Sequence, residues 1–234
     1  MQIWLKDELA KLDANSEQEV FDQIVRIAKN IGFEYCSYGI RLPTPILKPK
    51  IVLFNNCPAN RNMPCHESQL SNPNIQNCLE SSLPVLWTEK FYADNSPFSE
   101  RLRSYGIRYG WTHFSRDAQG TIGSLALASC NEEITERDMH LNQVEIGWLT
   151  HYGHAAMAKF LIPKYVPESV TTITAREREV LLWTAEGKTA YEIGKILDVT
   201  TRTVNFHVQN LLIKLRATNK IQATIKAEKF GLLL

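Results

Sequence analysis

What this chain of 234 residues lacks narrows its work considerably. It holds no run of about 18 consecutive apolar residues, so no membrane-spanning helix is expected. Its five cysteines, Cys36, Cys57, Cys65, Cys78 and Cys130, are odd in number and form no C-x-x-C pair. That pattern suits a reducing cytoplasm better than a disulfide frame. There is no phosphate-cradling glycine loop and no dinucleotide fingerprint, and "TIGSLA" (121–126) lacks the Gly-x-Ser-x-Gly frame of a nucleophile elbow. His151 and His154 stand three apart, but no Glu or Cys at helical spacing completes a metal site, and apolar packing is the expected role. Cys65-His66 and Cys78 crowd a polar stretch, which leaves a redox or metal sensor as a lesser alternative. Neither a catalytic group, a metal nor a tightly bound cofactor is expected. The opening "MQIWLKDELAKLD" mixes acids among its lysines, unlike a secretory or transit peptide.

Net charge is also nearly missing, at +1, but the sum hides an asymmetry. From residue 171 onward there are ten Lys/Arg against six Asp/Glu, whereas the first 170 residues hold sixteen against nineteen. A basic tail on a mildly acidic body points to a polyanionic partner for the tail alone. "IPKYVPESVTT" (162–172), with two prolines and a Ser/Thr cluster, reads as the joint between them. The expected domains are 1–162 in front, a linker over 163–172, and 173–234 behind.

The front carries mixed signals. "SEQEVFDQIVRIAKNIGF" opens on Ser16 with Glu19 three residues on, repeats apolar residues at Val20, Ile24, Ile27 and Ile31, and stops at Gly32, the signature of a capped helix. Strand-like runs follow at 35–42, 50–56, 84–88, 108–116 and 121–129, the last two flanking "DAQG" as a hairpin. Residues 57–83 read as a polar loop with a short helix near its end. From Thr135 to about Leu161 a long helix shows two apolar stripes: Met139, Ile146, Leu149, Gly153, Ala156 and Phe160 on one side, and Leu141, Val144, Trp148, Tyr152 and Ala155 opposite. One stripe can cover the sheet; the other calls for a second partner, and a homodimer is expected. The fold class is α+β, an α/β/α sandwich on a mostly antiparallel five-stranded sheet followed by an all-α domain of four short helices.

Three of those four helices open with the same kind of box, Thr174/Glu177, Thr189/Glu192 and Asn219/Gln222, while Gly187 and Gly231 stand where helices stop. The second turns Ile193, Ile196 and Leu197 inward. The third turns Val204, Val208, Leu211 and Leu215 inward and leaves Arg202, Asn205, Gln209 and Ile213 outside. Two short helices around Asp198-Val199-Thr200, the second with a polar outer face, match a helix-turn-helix, although any surface helix also has a polar outer face. In that geometry Asn205 and Gln209 can each pair with adenine and Arg202 can grip guanine or phosphate, while Lys188, Thr203 and His207 reach the backbone of double-stranded DNA.

The pieces "AREREVL", "WTAEGKT", "TVNFH" and "NKIQA" resemble the DNA-binding domain of LuxR-type regulators. The segments "NIGFEYCSYGIRLPTPILKPKIVLFNNCP", "LPVLWTEKFY" and "SYGIRYGWTHFSRDAQGTIGSLALAS" resemble the autoinducer-binding domain of the quorum-sensing members of that family. The resemblance implies a transcription regulator whose third tail helix reads DNA and whose last helix helps pair two domains. It also implies an acyl-homoserine lactone held between sheet and helices by a Trp, an Asp, a Tyr and a Ser or Thr. Candidate signal contacts here are Tyr38, Phe54, Asn72, Trp87, Tyr105, Trp111 and Ala126.

Some positions depart from the family's pattern. Asn72-Pro73 stands for its Asp-Pro, Cys57 for a frequent Tyr, Ala126 for the hydroxyl residue, and "NNCPANRNMPCHESQLSNPNI" holds neither the usual Trp nor the usual Tyr. Asn offers a neutral oxygen where Asp offers a charged acceptor, and each unpaired ligand group would cost about 1–3 kcal/mol. Two readings of the front follow: a pocket for a small apolar signal, either a lactone in an altered pose or another molecule, or a ligand-independent dimerisation module, including an antagonist that forms heterodimers with a related regulator. For any single aromatic, core packing competes evenly with ligand contact. The expected target is an inverted repeat with half-sites roughly one DNA turn, about 34 Å, or a multiple apart.

Overall fold

The computed structural model describes residues 14–45, 47–56, 83–87, 93, 97–107, 109–117, 120–130 and 136–233. The reading of 57–83 as a loop with a short helix lies, but for Leu83, outside these residues, as does Asn72. The first helix, α1 (Glu17–Asn30), is capped by the Ser16 hydroxyl, which accepts the Glu19 amide at 3.2 Å. The Glu19 carboxylate answers one residue further out, accepting the Asn15 amide at 2.9 Å. Gly32 ends the element at φ +96°, where Phe33 N–H reaches back to the Ala28 carbonyl at 3.0 Å.

Five strands follow, at the places their alternation marked: β1 (Tyr35–Arg41), β2 (Ile51–Asn55), β3 (Val85–Trp87), β4 (Tyr109–Arg116) and β5 (Ile122–Ser129), with α2 (Pro97–Ser104) between β3 and β4. They form one antiparallel sheet in the order β2-β1-β5-β4-β3. Successive side chains alternate between its faces, so the register decides which residues can meet. On one face lie Trp87, Gly110, Thr112, Phe114, Ala126 and Ala128, joined by Leu102 of α2 and by Ile107 in a buried cluster. On the other lie Phe54, Tyr38, Trp111, His113 and Ser115. That second face meets α1, where Phe21 stacks on Phe54 at 5.5 Å, and the long helix α3 (Glu136–Tyr165).

A polar seam runs between α3 and the sheet. Tyr38 Oη and His154 Nδ1 lie 2.8 Å apart, His154 Nε2 is 3.9 Å from Asp117, and Ser115 Oγ meets His151 Nδ1 at 2.9 Å. Burial, and then the negative charge of Asp117, hold the Tyr38 phenol well above its ordinary pKa, so it stays neutral. Burial and the neighbouring His151 push His113 down, favouring the uncharged ring. The two stripes of α3 part as their spacing requires. Ile146, Leu149 and Gly153 are buried with Met157 and Leu161, while Val144, Trp148 and Tyr152 stay exposed at 50%, 42% and 44%.

The chain divides into two compact units near Leu161/Ile162. The stretch read as an open linker is more ordered than its prolines suggested. Helix α3 continues through Pro163 to Tyr165, and Pro167–Val170 forms a 3-10 turn. Pro163 sits in the last turn, so its missing N–H interrupts little, and Val166 N–H closes on the Ile162 carbonyl at 2.8 Å. Beyond stand α4 (Ala175–Ala185), α5 (Ala190–Ile196), α6 (Thr201–Lys214) and α7 (Lys220–Lys229).

Full capping boxes open α4 and α5. At α7, Asn219 accepts the Gln222 amide, but the Gln222 carbonyl turns to the Thr218 amide at 2.7 Å rather than to the cap residue. Gly187 and Gly231 adopt positive φ where α4 and α7 end. Val180, Leu181, Ile193, Val204, Val208, Leu211, Leu215, Ala223, Ala227 and Phe230 make the core. Ile196, expected to face inward, is instead 45% exposed, because the two turns of α5 bury only Ile193 and Gly194.

A lysine ties the 3-10 turn to this unit. Lys226 Nζ lies 2.7 Å from Glu168 and donates to the carbonyls of Leu215 and Arg216, both at 3.0 Å, where α6 ends with Arg216 at φ +47°. Burial alone would raise the Glu168 pKa, but the hydrogen bond and charge of Lys226 outweigh it and hold the carboxyl below its ordinary range. The depressed folded value means that this contribution is present above the unfolded carboxylate pKa and is lost as pH falls through the folded one. Lys226→Met should cost about 2–4 kcal/mol in urea unfolding, since it strands a half-buried carboxylate and two carbonyls. It should also erase that acid-side loss.

Candidate nucleic-acid interface and signal face

The turn between α5 and α6 is set by close contact. Asp198 takes φ +53°, and Val199 N–H donates to the Gly194 carbonyl at 2.9 Å. A Cβ on Gly194 would stand 2.8 Å from the Val199 carbonyl oxygen, so only glycine lets the helix approach the turn this closely. Thr200 caps α6 by accepting the Thr203 amide at 3.1 Å, and the two threonine hydroxyls meet at 2.8 Å. This cap was missed in the sequence, where Thr203 was read only as a backbone contact; the T-x-x-T spacing carried the signal.

Both ends of the helix pair are held from behind. Arg176 reaches the Leu197 carbonyl at 2.9 Å, and Lys214 bridges to Glu177 at 2.7 Å. Glu177 is buried, which alone would raise its pKa; Lys214 and the amide and hydroxyl of Thr174 reverse this and hold it ionised.

With Val204, Val208, Leu211 and Leu215 buried, α6 presents Arg202, Asn205 and Gln209 to solvent, as their spacing implied. None of the three side chains hydrogen-bonds to another described residue. Thr203 and His207 lie half-buried on the flank, and Lys188 is exposed just before α5. Helix α6 contains no acidic residue, so its positive N-terminal end and Arg202 face outward without a competing carboxylate. Phe206 shares this ridge at 61% exposure and was not among the residues singled out.

Six of the seven candidate signal contacts lie among the described residues, and these six do not form one cluster. Trp87, Tyr105 and Ala126 come together with Leu102, Ile107, Phe114 and Ala128. Tyr38, Phe54 and Trp111 belong to the opposite face, because strand alternation turns them toward α1 and α3. There Tyr38 binds His154, Phe54 stacks on Phe21, and Trp111 lines a groove of about 430 Å³ with His113, Trp148 and His151.

Two neighbours of Trp87 explain its setting. A Cβ on Gly110 would stand 2.2 Å from Trp87 Cε3, so the indole lies flat against glycine backbone. Its Nε1–H donates to Thr112 Oγ1 at 3.0 Å. Thr112 pairs directly with Ala126 across the sheet. Thr112 thus places a hydroxyl directly across from Ala126, a position that period-two counting from Gly110 marks.

Comparison with known proteins agrees with this architecture. The autoinducer binding domain family matches residues 16–157, and the LuxR family of bacterial regulatory proteins matches 171–227. The transcriptional activator SolR of Ralstonia nicotianae is 41% identical over 222 residues, covering 94% of each chain. The transcriptional activator AnoR of Acinetobacter nosocomialis is 37% identical over 238 residues, covering 100% of each. Escherichia coli SdiA superposes with a TM-score of 0.79 at 28% identity over 99% of this chain and 98% of its own. A complex of SdiA with octanoyl-rac-glycerol gives 0.77 at 26%, over 98% and 95%. A sandwich with the autoinducer-binding pattern, followed by a helix-turn-helix of matching length and order, places the chain in the LuxR family of quorum-sensing transcription regulators.

Proposed function

We propose that this regulator works in the cytoplasm as a homodimer that reads an inverted-repeat DNA site through α6 and answers to a small apolar signal held on the Trp87 face of its sheet. The observation that carries the DNA part is the ridge of Arg202, Asn205 and Gln209, exposed and uncommitted while the opposite side of the same helix is buried. Amide groups at Asn205 and Gln209 suit adenine edges, and Arg202 suits guanine or phosphate. Lys188, Thr203 and His207 add positioning contacts to the backbone. Asn205→Ala or Gln209→Ala should cost about 1–3 kcal/mol at a selected site while leaving affinity for random duplex unchanged. Equal losses on both duplexes would remove these side chains from base reading.

The dimer rests on the exposed stripe of α3. Val144, Trp148, Tyr152 and Ala155 line one side of the helix, and Trp148 and Tyr152 meet as tilted rings 5.3 Å apart, each more than two-fifths exposed. Large apolar side chains left open in a row are the usual mark of an interface. Trp148→Glu should turn the dimer into a monomer in sedimentation equilibrium; an unchanged mass would place the interface elsewhere. A heterodimer with a related regulator would use the same stripe.

Trp87, Thr112, Tyr105 and Ala126 support a signal site on one face, away from Tyr38, Phe54 and Trp111. The bond from Trp87 to Thr112 takes up the indole donor, which favours an apolar ligand contact there over a polar one. The SdiA complex with octanoyl-rac-glycerol gives precedent in a relative for a ligand that is not a lactone. The second reading, a front domain that dimerises without ligand, is favoured by the mutual burial of Trp87, Leu102, Ile107 and Phe114.

Ala126→Trp separates the two, because it sets an indole directly across from Thr112 on the Trp87 face. It should abolish a signal-dependent transcriptional response while the second unit still melts normally. Mass spectrometry of solvent extracts, from a host without lactone synthase and with candidate signals supplied, reads the same question directly. Soluble, dimeric, DNA-competent protein with nothing bound would establish the ligand-independent reading.

A further inference from the structure

We propose that Phe206 reads the C5-methyl group of a thymine, working beside Asn205 and Gln209 so that the ridge recognises A·T base pairs from both strands at once. The inference rests on the DNA-reading assignment of α6 and extends it to a residue whose chemistry is not polar. The buried positions Val204, Val208, Leu211 and Leu215 define the inward direction of this helix. At about 100° per residue, Phe206 projects within roughly ten degrees of the opposite direction, on the crest of the outer face. Ile213 and Arg202 lie roughly 20° and 40° to one side of it, with Gln209 and Asn205 further round on that side, at roughly 60° and 100°.

The ring is 61% exposed, and its aromatic contact is with the neighbouring His207, edge-on, at 5.7 Å between centroids. A phenyl group there contributes nothing to the core and costs solubility, so its return must come from whatever the crest meets. The floor of the major groove offers N and O edge groups and one apolar projection, the thymine methyl. Adenine, which suits the paired hydrogen bonds of Asn205 or Gln209, stands opposite thymine in the same base pair. A helix that lays an amide on the adenine edge therefore brings the next side chain along the crest toward a methyl. The absence of any carboxylate on α6 keeps this approach unopposed by phosphate.

The test removes one methyl group at a time. A duplex selected by the purified full-length protein is remade with deoxyuridine in place of each thymine, and affinity is followed by fluorescence anisotropy at fixed salt. For the wild-type protein, one or two replacements should weaken binding about three- to fivefold, the effect of burying one carbon. For Phe206→Ala, binding to the thymine duplex should fall by a similar factor and the same replacements should then have no effect. Phe206→Leu should restore part of the sensitivity, and the thermal melts of both variants should match the wild type. A scan that leaves the wild type indifferent to every replacement overturns the inference, as does sensitivity that persists in Phe206→Ala. A dimer weakened by Phe206→Ala with no change in methyl sensitivity also overturns it and assigns the ring to contact between copies. Failure to select any duplex is a different result, because it removes the DNA-reading assignment beneath it.

Discussion

A sheet covered on both sides gives every strand residue one of two fates, and that parity governs the sensor unit. Trp87, Thr112 and Ala126 share a face because β3, β4 and β5 pair in one register; Trp111, one step along β4, cannot join them. A slip of one residue would exchange the two sets entirely. The faces also differ in chemistry. The side toward α1 and α3 carries a polar seam of Tyr38, His154, Ser115 and His151 within an aromatic core. Such a seam is costly to bury unless its members satisfy one another, and it fixes the long helix in one rotational setting. The other side is largely apolar, with Trp87, Leu102, Ile107 and Phe114 around an indole-to-hydroxyl bond between Trp87 and Thr112.

The second unit solves a different problem. Helices of seven to fourteen residues are marginal alone, and the outer face of α6 must stay clear of stabilising contacts. Its stability is gathered at the ends and behind. Capping side chains satisfy the first turn of all four helices, Lys214 locks α6 to Glu177 in the first turn of α4, and Lys226 gathers the α6 carbonyls and Glu168. The two lysines do this in partly buried surroundings, where a paired charge holds geometry well and a stranded one is expensive. Rigidity at the rear leaves Arg202, Asn205, Phe206 and Gln209 unbound and ready.

Local grammar was the legible part. Ser16, Thr174, Thr189 and Asn219 open helices where their partners three residues on said they would, and Gly32, Gly187 and Gly231 close them. The five strands and the four inward residues of α6 follow from period two and period 3.6. The rest was hidden for physical reasons. Trp111, Tyr38 and Phe54 share aromaticity with Trp87 but not its face of the sheet, and aromaticity says nothing about the face a residue occupies. Thr112 was passed over because the family pattern puts its hydroxyl on the next strand. Pro163 helps mark a linker in the sequence, yet a proline in the last turn of a helix loses little, and α3 runs through it to Tyr165. The inward placement of Ile196 failed because a two-turn helix has room to bury only a narrow stripe. Phe206 drew no notice because a single exposed apolar residue is ordinary until its direction relative to the core is known.

The apolar residues left outside follow a division of labour. On α3, Val144, Trp148 and Tyr152 lie exposed in a row along one side of the helix, the surface on which the proposed dimer rests. On α7, Ile221 is 74% exposed and Ile225 lies nearby on the same side, a second short row. Phe206, with Ile213 two turns further along, stands among the polar side chains of the α6 ridge, which suits a target that is polar with isolated methyl groups. A ridge of a few side chains and a tail with a balance of +4 give one DNA-binding unit only modest affinity. Joining two through the sensor makes the second engagement intramolecular and multiplies affinity without any new contact to DNA. In the proposed dimer, a signal that stabilises the sensor fold would act on DNA by setting how much of the protein is folded and paired, with no change needed in the recognition helix.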